Sequence, residues 1–401
     1  MRIWWQQQLQ RRPWWMNGLM FLCFYYVFIY IPWDLFIKSV SVDREVFLGI
    51  MFSGRNAKAV EVLHWVIYGF AAYGFWRMRP WMWPWASIYV AQMAFSSALW
   101  GIVHRGGVFG WVAAMVTAVP CAIVAWALWH EQDRFRARPR SLRERYGEWA
   151  LITGASAGIG AEFARALARD GVSCVLTARR QDRLEALARE IEQNHNVRTR
   201  VVAIDLGEPG AAEKLATRVN DLDIAILINN AGFGWAGNFR AQDPQRLRSM
   251  VELNCIAPVV LTNLLLPRML EHGKGAVIVT GSIAGAQPVP FNTVYSATKA
   301  FDRNLGEGLW TELLGTGIDV LVLEPGPTET EFQAVARETA HPGEPPGQVV
   351  AVALEALGRQ PAVVSGWGNW IQSTAVRMAP RSLVALLAGR VMSQWVEPEM
   401  R

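Results

Sequence analysis

Cysteine is scarce in this chain of 401 residues, and its four cysteines are scattered without any Cys-x-x-Cys pair: Cys23, Cys121, Cys174 and Cys255. Disulfide frameworks and zinc sites both need such ligands at short, regular intervals. The sequence therefore indicates neither, and we predict no bound metal. Internal repeats of solenoid period and low-complexity tracts are lacking as well, so a repeat architecture is excluded.

Charged side chains are missing from three long stretches in the first third of the chain, residues 13–33, 80–103 and 106–129. Each stretch holds 21 to 24 residues, and a helix needs roughly 20 apolar residues to cross a hydrocarbon core of about 30 Å. Fourteen of the 20 tryptophans precede residue 131, and aromatic residues at the ends of apolar stretches mark membrane boundaries. We predict transmembrane helices here; helices buried in a core are the alternative.

Arginines flank this apolar region on both sides. Arg2, Arg11 and Arg12 precede it, and six arginines follow it between residues 134 and 145. Because loops rich in arginine stay on the cytoplasmic side, the number of crossings is predicted to be even. A fourth, shorter helix at residues 62–76, which holds His64, satisfies this condition and places residues 38–58 on the outer side.

Residues 1–130 are thus predicted to form an all-α transmembrane domain of about four helices, and a cleavable signal peptide fits poorly. Residues 131–147 form a basic juxtamembrane linker whose arginines suit anionic lipid headgroups. A nucleic-acid patch is the other interpretation of these arginines, but no nucleic-acid-binding motif accompanies them, and we predict no nucleic-acid partner. Residues 148–401 form a second domain.

After residue 148, short apolar runs alternate with amphipathic stretches. Strands are predicted at 150–153, 173–177, 200–204, 224–228, 276–280 and 319–323, and helices at 161–170, 182–193 and 247–265. Strands that alternate with helices of this length form a parallel sheet covered on both faces. The predicted class is α/β with a doubly wound parallel sheet, and ligands bind such sheets beyond the carboxyl ends of the strands.

The segment TGASAGIG at residues 153–160 follows the first predicted strand and precedes a predicted helix. Gly154, Gly158 and Gly160 allow a tight turn and a close approach of the backbone to a pyrophosphate, whose charge faces the N-terminus of the helix. A plain turn is the alternative. We predict a dinucleotide-binding loop, to which Ser156 and Ile159 also belong.

Further motifs follow this loop in a fixed order. They are Asn-Asn-Ala-Gly at 229–232, Ser282, Tyr295-x-x-x-Lys299 and Pro325-Gly326. From about residue 148 to residue 332 the sequence resembles the short-chain dehydrogenase/reductase family, and at residues 295–301 (YSATKAF) it is similar to the branch of 3-oxoacyl reductases and hydroxysteroid dehydrogenases. The resemblance implies a Rossmann-type sheet that binds a nicotinamide dinucleotide.

Tyr295 and Lys299 lie four residues apart and share one face of a helix. A nearby ammonium group stabilises a phenolate and lowers the pKa of the phenol, which is about 10 in isolation. The resemblance implies that Tyr295 donates a proton to a carbonyl oxygen and that Lys299 also binds the nicotinamide ribose. It further implies that Ser282 hydrogen-bonds the substrate oxygen and that Asn254 supports a water-linked proton relay.

The end of the second predicted strand bears on which dinucleotide binds. Members of the family that prefer NAD place an acidic residue there, whereas this chain has Ala178 followed by Arg179 and Arg180. Guanidinium groups suit a 2′-phosphate; solvated surface arginines are the alternative. We predict NADPH as the cofactor and reduction as the physiological direction.

The resemblance implies additional cofactor contacts. They are Asp205 and Leu206 on the adenine side, Asn230, Ala231 and Gly232 beside the adenosine, and Pro325, Gly326 and Thr330 around the nicotinamide. The chain departs from the family pattern at Thr328, where valine is common, and at Gly281, where serine is common. Neither change removes a catalytic group.

The predicted substrate pocket is largely apolar. Besides Ser282 and Tyr295, it comprises loop residues at the catalytic end: Phe233, Trp235, Gln287, Val289 and Phe291. Residues 328–346 have the length and the glycine and proline content of a mobile lid. Residues 367–395 are apolar with three arginines, and they form either a helix pair that caps the core or an amphipathic helix that touches the bilayer.

We predict a membrane-anchored, NADPH-dependent oxidoreductase with its catalytic domain on the cytoplasmic side. It reduces a ketone, or oxidises the secondary alcohol, on a lipophilic substrate such as a fatty-acyl or steroid-like molecule. Its expected partners are this substrate, membrane lipid and a second copy of the chain, which would pair through the helices that carry Asn254 and Tyr295.

Two alternatives stay open. A catalytically silent membrane sensor would bind the dinucleotide without turnover, but such proteins usually lack the tyrosine or the lysine. A transporter or quinone-binding module with an attached reductase would need ionisable residues within the membrane. For this the sequence offers His64 and, at the boundaries, Asp34, His104 and Arg105.

Overall fold

The computed structural model describes residues 12–48, 50–105, 107–132, 135, 141–339 and 342–396. The chain divides into two compact units, Met1–Pro139 and Arg140–Arg401. The predicted basic residues Arg2, Arg11, Arg134, Arg136, Arg138 and Arg140 lie outside the described residues.

The N-terminal unit is mainly helical. Its helices are α1 (Trp14–Tyr25), α2 (Ile31–Phe36), α3 (Arg55–Arg77), α4 (Met82–Arg105) and α5 (Gly107–His130), and a π-helical turn at Tyr26–Tyr30 joins α1 to α2. An antiparallel hairpin, β1 (Arg44–Phe47) with β2 (Ile50–Ser53), separates α2 from α3. The aromatic and β-branched residues of this segment favour extended structure, so the predicted helical region also contains a short hairpin.

Three segments of this unit are long and apolar enough to cross a membrane: Trp14–Phe36, Met82–Val103 and Gly110–His130. They coincide with the three stretches that lack charge. At most 22% of the most apolar part of each segment is buried inside the structure, so these helices do not form the core of a soluble domain. Exposed apolar side chains in such numbers suit contact with lipid.

The fourth predicted crossing falls on α3, which extends beyond residues 62–76 at its N-terminal end. With 23 residues it spans about 34 Å at 1.5 Å per residue. Its first turns carry Arg55, Lys58 and Glu61, so it is less apolar than the other three. An even number of crossings stays a prediction.

The second unit is built on a seven-stranded parallel sheet. In chain order its strands are β3 (Trp149–Thr153), β4 (Ser173–Ala178), β5 (Thr199–Ala203), β6 (Ile224–Asn229), β7 (Gly275–Thr280), β8 (Ile318–Glu324) and β9 (Ala362–Val364). Their order across the sheet is β5-β4-β3-β6-β7-β8-β9. The doubly wound fold is confirmed, and the strand order reverses between β3 and β6, where such sheets open a crevice for ligands.

Helices precede, connect and follow the strands of this sheet. In chain order they are α6 (Leu142–Arg145), α7 (Gly158–Arg169), α8 (Gln181–Asn194), α9 (Ala211–Arg218), α10 (Pro244–Val251), α11 (Ala257–His272), α12 (Thr293–Glu312), α13 (Phe332–Ala336), α14 (Pro346–Ala356), α15 (Trp367–Met378) and α16 (Arg381–Trp395). Helices α7, α8 and α14 pack on one face, and α9, α11 and α12 on the other. In α7, Phe163, Ala164 and Leu167 recur at helical spacing and are fully buried, which is why this segment packs as a helix.

One apolar segment of the second unit, Pro244–His272, is also long enough to cross a membrane. It comprises α10, a π-helical turn (Glu252–Ile256) and α11. Leu261 and Met269 of α11 are buried in the same cluster as Leu227 and Val277 of the sheet. Because these side chains are already covered by the sheet, we interpret the segment as a helix layer of the α/β unit.

Candidate active site

A cavity of about 790 Å³ opens at the carboxyl ends of β3 to β8. Residues that follow each of these six strands line it: Gly154, Arg179, Asp205, Asn230, Ser282 and Pro325. The cavity includes the point where the strand order reverses, the usual ligand position in this class of sheet.

The loop between β3 and α7 approaches its neighbours too closely for side chains. Gly154 (φ 71°) and Gly158 (φ 56°) lie in the left-handed region, and a Cβ on Gly154 would come within 2.9 Å of the Cα of Ala231. A Cβ on Gly160 would collide with the carbonyl oxygen of Gly154. Glycine is therefore required at these positions, and the N-terminus of α7, with its unpaired N–H groups, borders the cavity.

Thr153 joins this loop to the end of β6. Its Oγ1 accepts hydrogen bonds from the backbone N–H groups of Asn230 and Ala231, each at 2.9 Å. The side-chain amide of Asn230 donates in turn to the carbonyl oxygen of Thr153 at 3.0 Å. These bonds fix the spacing of two neighbouring strand ends beneath the cavity.

Ser282, Tyr295 and Lys299 come together at the end of β7. Tyr295 and Lys299 lie on α12 and are 9% and 4% exposed, and the hydroxyl of Ser282 accepts a hydrogen bond from the backbone N–H of Ala284 at 3.1 Å. The Nζ of Lys299 lies 5.8 Å from the centre of the Tyr295 ring. All three residues line the cavity, so a hydroxyl, a phenol and an ammonium group face the same space.

Two partners hold Lys299 in place. Its Nζ donates to the carbonyl oxygen of Thr280 at 2.7 Å and to Oδ2 of Asp302 at 2.9 Å. Asp302 is 1% exposed and was not anticipated from the sequence. It lies three residues after Lys299, on the same face of the helix, and this spacing is the signal that identifies it.

Asn254 lies behind the cavity, in the π-helical turn between α10 and α11. Its Oδ1 accepts from the N–H of Phe233 at 3.2 Å, and its Nδ2 donates to Oγ1 of Thr298 at 3.0 Å. A Cβ on Gly232 would lie 3.1 Å from this amide oxygen and 3.4 Å from the Nζ of Lys299. Asn254 thus connects the loop after β6 to α12, and π-helical turns of this kind are frequent at functional sites.

Burial raises the pKa of Tyr295 above its ordinary value, and the opposing effects of Lys299 and the Ser282 hydroxyl do not offset it. This net direction differs from the lowering expected from Lys299 alone. For Lys299, burial alone would lower the pKa, but Asp302 and Tyr295 raise it, and the net shift is upward. Tyr295 is therefore protonated and Lys299 charged at neutral pH.

The two arginines after β4 have different surroundings. Arg180 donates through Nη2 to Oγ of Ser156 at 3.0 Å and through Nη1 to Oε2 of Glu331 at 2.7 Å. Arg179 is 60% exposed, and its Nη1 lies 3.6 Å from Oδ2 of Asp205. Arg180 therefore connects the glycine loop to the segment after β8, and Arg179 is the more accessible guanidinium at the cavity edge.

The remaining predicted cofactor residues also meet at this cavity, with one exception. Those that line it are Ser156, Gly158, Ile159, Leu206, Ala231, Gly232, Gly326 and Thr330. Gly160 is buried beneath the loop instead. The glycine cradle, the exposed guanidinium and the cavity volume of about 790 Å³ fit a nicotinamide dinucleotide, because each offers a partner of the matching charge or size.

The predicted substrate residues divide into two groups. Phe233, Gln287 and Val289 line the cavity together with Ser282 and Tyr295. Trp235 and Phe291 are not among the described lining residues.

The rings of Trp235 and Phe291 contact other residues instead. The guanidinium groups of Arg246 and Arg337 lie 4.8 Å and 4.1 Å from the centre of the Trp235 ring, an arrangement that stabilises cations on aromatic faces. Phe291, with φ 65°, packs against the cluster of Val289, Met392 and Val396.

The C-terminal helices α15 and α16 form a wall of the cavity that was not predicted. On α16 the lining residues recur at helical spacing: Val384, Leu387, Ala388, Val391, Met392 and Trp395. Residues 367–395 thus form a pair of helices, as one of the two interpretations held, but the pair covers the site rather than the core of the sheet. The helical spacing of these apolar residues is the sequence feature from which this wall could have been predicted.

The segment expected to be a mobile lid, residues 328–346, is bonded at several points. The backbone N–H of Glu329 donates to the carbonyl oxygen of Glu344, and the N–H of Glu344 donates to the carbonyl oxygen of Pro327. The N–H of Ala236 donates to the carbonyl oxygen of Ala336 at 2.9 Å. Glu338 accepts from the side chain of Asn292 at 2.8 Å. Within the described residues 328–339 and 342–346, these bonds connect the segment to the side of the cavity, and its mobility stays a prediction.

The N-terminal unit contains a second, smaller cavity of about 400 Å³. Glu45, Glu61 and His64 line it, and their ligand atoms lie within 4.8 Å of one another. Asp34 is buried and paired with Lys38 and Lys58. The side chains of His104 and Arg105 are outside the described set. The helical unit thus contains other ionisable groups besides His64. The transporter alternative requires groups of this kind.

Comparison with known proteins agrees with this geometry. A family model described as short chain dehydrogenase matches residues 148–341. The very-long-chain 3-oxoacyl-CoA reductase-A of Danio rerio is 31% identical over 296 residues, which cover 70% of this chain and 90% of the relative.

Solved structures show the same similarity. A 7beta-hydroxysteroid dehydrogenase aligns with a TM-score of 0.58 at 29% identity, covering 62% of this chain and 99% of the other. A short-chain dehydrogenase from Sphingobium yanoikuyae in complex with NADPH aligns with a TM-score of 0.53 at 33% identity, covering 58% of this chain and 94% of the other.

A parallel sheet with a glycine-rich loop and a Ser–Tyr–Lys group at its carboxyl edge is the arrangement of a dinucleotide-dependent oxidoreductase. The chain belongs to the short-chain dehydrogenase/reductase family. It is an enzyme, and its cofactor is a nicotinamide dinucleotide of the NAD(P) type.

We expect Asp302→Asn to leave the ammonium of Lys299 buried without a counter-charge. Removing one partner of a buried ion pair costs about 3–5 kcal/mol of folding stability, and thermal unfolding of the detergent-purified protein measures it. The control is Asp221→Asn, which removes the exposed partner of Arg200 and leaves stability nearly unchanged. Equal effects of the two variants would contradict the role assigned to Asp302.

The raised pKa of Tyr295 predicts opposite pH profiles for the two directions of the reaction. Reduction needs the protonated phenol, so kcat/KM for a ketone should stay level from neutral pH until the pH approaches the ordinary value of about 10. Oxidation of the alcohol needs the phenolate and should rise over the same range. A reduction profile that falls already near pH 7 would show that the phenol has a lowered pKa instead.

Proposed function

We propose that the protein is a membrane-anchored, NADPH-dependent reductase of ketones on fatty-acyl substrates, with 3-oxoacyl thioesters as the substrate class. The observation that carries the proposal is the Ser282–Tyr295 pair in a cavity whose lining continues into the apolar residues of α16. A proton donor beside apolar space suits a ketone attached to a hydrocarbon chain. The similarity to a very-long-chain 3-oxoacyl-CoA reductase supports this class.

The proposed proton chemistry uses residues of this chain alone. Tyr295 donates its phenolic proton to the carbonyl oxygen of the substrate as negative charge develops there. Ser282 donates a hydrogen bond to the same oxygen and stabilises that charge. The ammonium of Lys299 stabilises the phenolate that remains. A bound nicotinamide dinucleotide supplies the hydride.

Asn254 has a supporting role in this proposal. Its amide donates to the hydroxyl of Thr298, which donates in turn to the carbonyl oxygen of Tyr295 at 2.8 Å. These bonds hold the start of α12 against the loop after β6. We assign Asn254 to the water-linked relay that returns a proton to Tyr295.

NADPH rather than NADH is the proposed cofactor. Ala178 supplies no carboxylate at the end of β4, and Arg179 beside it is accessible and cationic, which suits a 2′-phosphate. The glycine loop and the N-terminus of α7 would hold the pyrophosphate, and Asp205 and Leu206 the adenine side. The NADPH complex of a similar dehydrogenase supports this choice.

The proposed organisation places residues 1–130 in the membrane and 148–401 in the catalytic domain. Of the predicted basic linker 131–147, the residues of α6 and the buried Tyr146 already belong to the second unit, so the linker is shorter than the sequence predicts. The arginines on both sides of the apolar region support a cytoplasmic position of this domain. Exposed apolar side chains on α10 to α12, Val251, Leu264 and Phe301 among them, support pairing of two copies through these helices.

The test of the proposed function is NADPH oxidation by the full-length protein in detergent, with 3-oxoacyl thioesters of several chain lengths. We expect turnover that improves with chain length, since each buried methylene contributes about 0.8 kcal/mol. Tight NADPH binding without oxidation by any ketone would favour the silent sensor instead.

Tyr295→Phe keeps the ring and removes the proton donor. We expect kcat to fall by about two to four orders of magnitude, the range that general acid catalysis supplies, with the NADPH dissociation constant unchanged. Tyr146→Phe is the matched control, because Tyr146 is also buried but donates to Asp319 outside the cavity. Near-normal turnover of Tyr295→Phe would refute the assignment.

Arg179→Ala should weaken NADPH binding by about 1.5–3 kcal/mol, the usual contribution of hydrogen bonds to charged groups, and leave NADH binding almost unchanged. Titration of both dinucleotides by protein fluorescence measures the difference. Arg189→Ala, on the exposed side of α8, serves as control and should alter neither affinity. An equal loss for NADPH and NADH would rule out a contact with the 2′-phosphate.

A further inference from the structure

The helices α15 and α16 carry a large share of the exposed apolar side chains of the second unit. Fifteen large apolar residues are exposed in the described part of this unit, and eight of them lie within residues 367–391. Trp367, Met378 and Leu386 are 78%, 86% and 68% exposed. An apolar surface this dense on one pair of helices marks a contact with a partner or a membrane.

These eight residues divide by their relation to the cavity. Six of them are not cavity-lining residues and define the helix-pair surface: Trp367, Trp370, Ile371, Met378, Leu383 and Leu386. The other two, Leu387 and Val391, line the cavity and are still 49% and 47% exposed. We call these two residues the rim, because the outer face of α16 meets the cavity wall there.

The apolar lining continues inward from the rim. Val384 and Met392 line the cavity on the same helix and are buried. On α15, by contrast, the lining includes the polar side chains of Asn369 and Gln372. A hydrocarbon chain therefore meets unbroken apolar surface along α16, from the helix-pair surface over the rim into the site.

The charged residues within the helix pair itself are all of one sign. Residues 365–396 contain three arginines, Arg377, Arg381 and Arg390, and no aspartate or glutamate. Arg381 and Arg390 are exposed, while Arg377 lies 3.9 Å from Glu324. Tryptophan and leucine beside arginine is the composition that rests at the boundary of headgroups and acyl chains in an anionic bilayer.

We propose that the helix-pair surface rests on an anionic phospholipid bilayer and that the acyl chain of the substrate passes between bilayer and cavity over the rim. The docking itself follows from exposure and charge. The passage of an acyl chain rests in addition on the proposed function. A second copy of the chain fits this surface less well, because it would bring the same arginines together across the interface.

The docking is tested with an environment-sensitive dye on full-length protein in vesicles of phosphatidylcholine with phosphatidylglycerol. The dye is attached at Met378→Cys or, as control, at Phe239→Cys, which is also exposed but lies far from α15 in sequence. We expect brominated lipids to quench the dye at position 378 and not at position 239. Docking is overturned if position 378 is solvated, or if it is shielded but unquenched, as contact with protein would make it.

The passage of substrate is tested with matched double variants in the same vesicles. Met378→Ser with Leu386→Ser changes two side chains that are not cavity-lining residues, and Phe239→Ser with Leu270→Ser changes two exposed apolar residues elsewhere. We expect only the first pair to lower kcat/KM for a membrane-borne long-chain 3-oxoacyl substrate, by about tenfold or more. A short, water-soluble 3-oxo substrate should be reduced equally by both.

The outcomes separate the two proposals. Equal loss on long and short substrates, or no loss on either, would overturn the passage of substrate over the rim. Quenching at position 378 in a protein that reduces no ketone would support docking and refute the proposed function. Reduction of ketones without quenching at position 378 would refute docking and support the proposed function. Arg381→Glu with Arg390→Glu should weaken quenching, and a loss that is the same in pure phosphatidylcholine would contradict the role of anionic lipid.

Discussion

A buried ammonium group constrains the arrangement of the catalytic unit. Lys299 is 4% exposed, and at such depth a charge is tolerated only when it is paired. Asp302 and the carbonyl oxygen of Thr280 provide the partners, so α12 has to lie with its second turn against the end of β7. This position brings Tyr295 to the same cavity as Ser282, and a Cβ on Gly232 would lie 3.4 Å from the Nζ of Lys299.

The strands and the glycine loop were predictable because burial and backbone geometry restrict which residue types can occupy them. Strands such as β6 and β7 are buried along their whole length and appear as continuous apolar runs, so the six predicted strands agree with the structure to within one residue at each end. The short β9 is half-buried and carries no such pattern. Gly154 and Gly158 combine a positive φ with close contacts to neighbouring atoms. Few residue types other than glycine tolerate both conditions.

The substrate side of the cavity was less predictable. The direction of a loop side chain depends on contacts between distant segments, and Trp235 is held by Arg246 and Arg337 rather than by any neighbour in sequence. The wall formed by α16 has helical periodicity, but periodicity indicates only that a face is covered and not what covers it. Asp302 was missed for a related reason, since a carboxylate on a helix is usually solvated.

The bonds that assemble the site join parts of the chain that are far apart in sequence. Thr153 and Asn230 are 77 residues apart, and Arg180 and Glu331 are 151 apart. Contacts of this range form late and slowly in folding, because a long loop must close before they are made. The helices up to His130, by contrast, are complete in the growing chain before Tyr295 has been synthesised, and domains fold from the N-terminus during translation. The nascent protein therefore acquires its anchor first and its catalytic competence last.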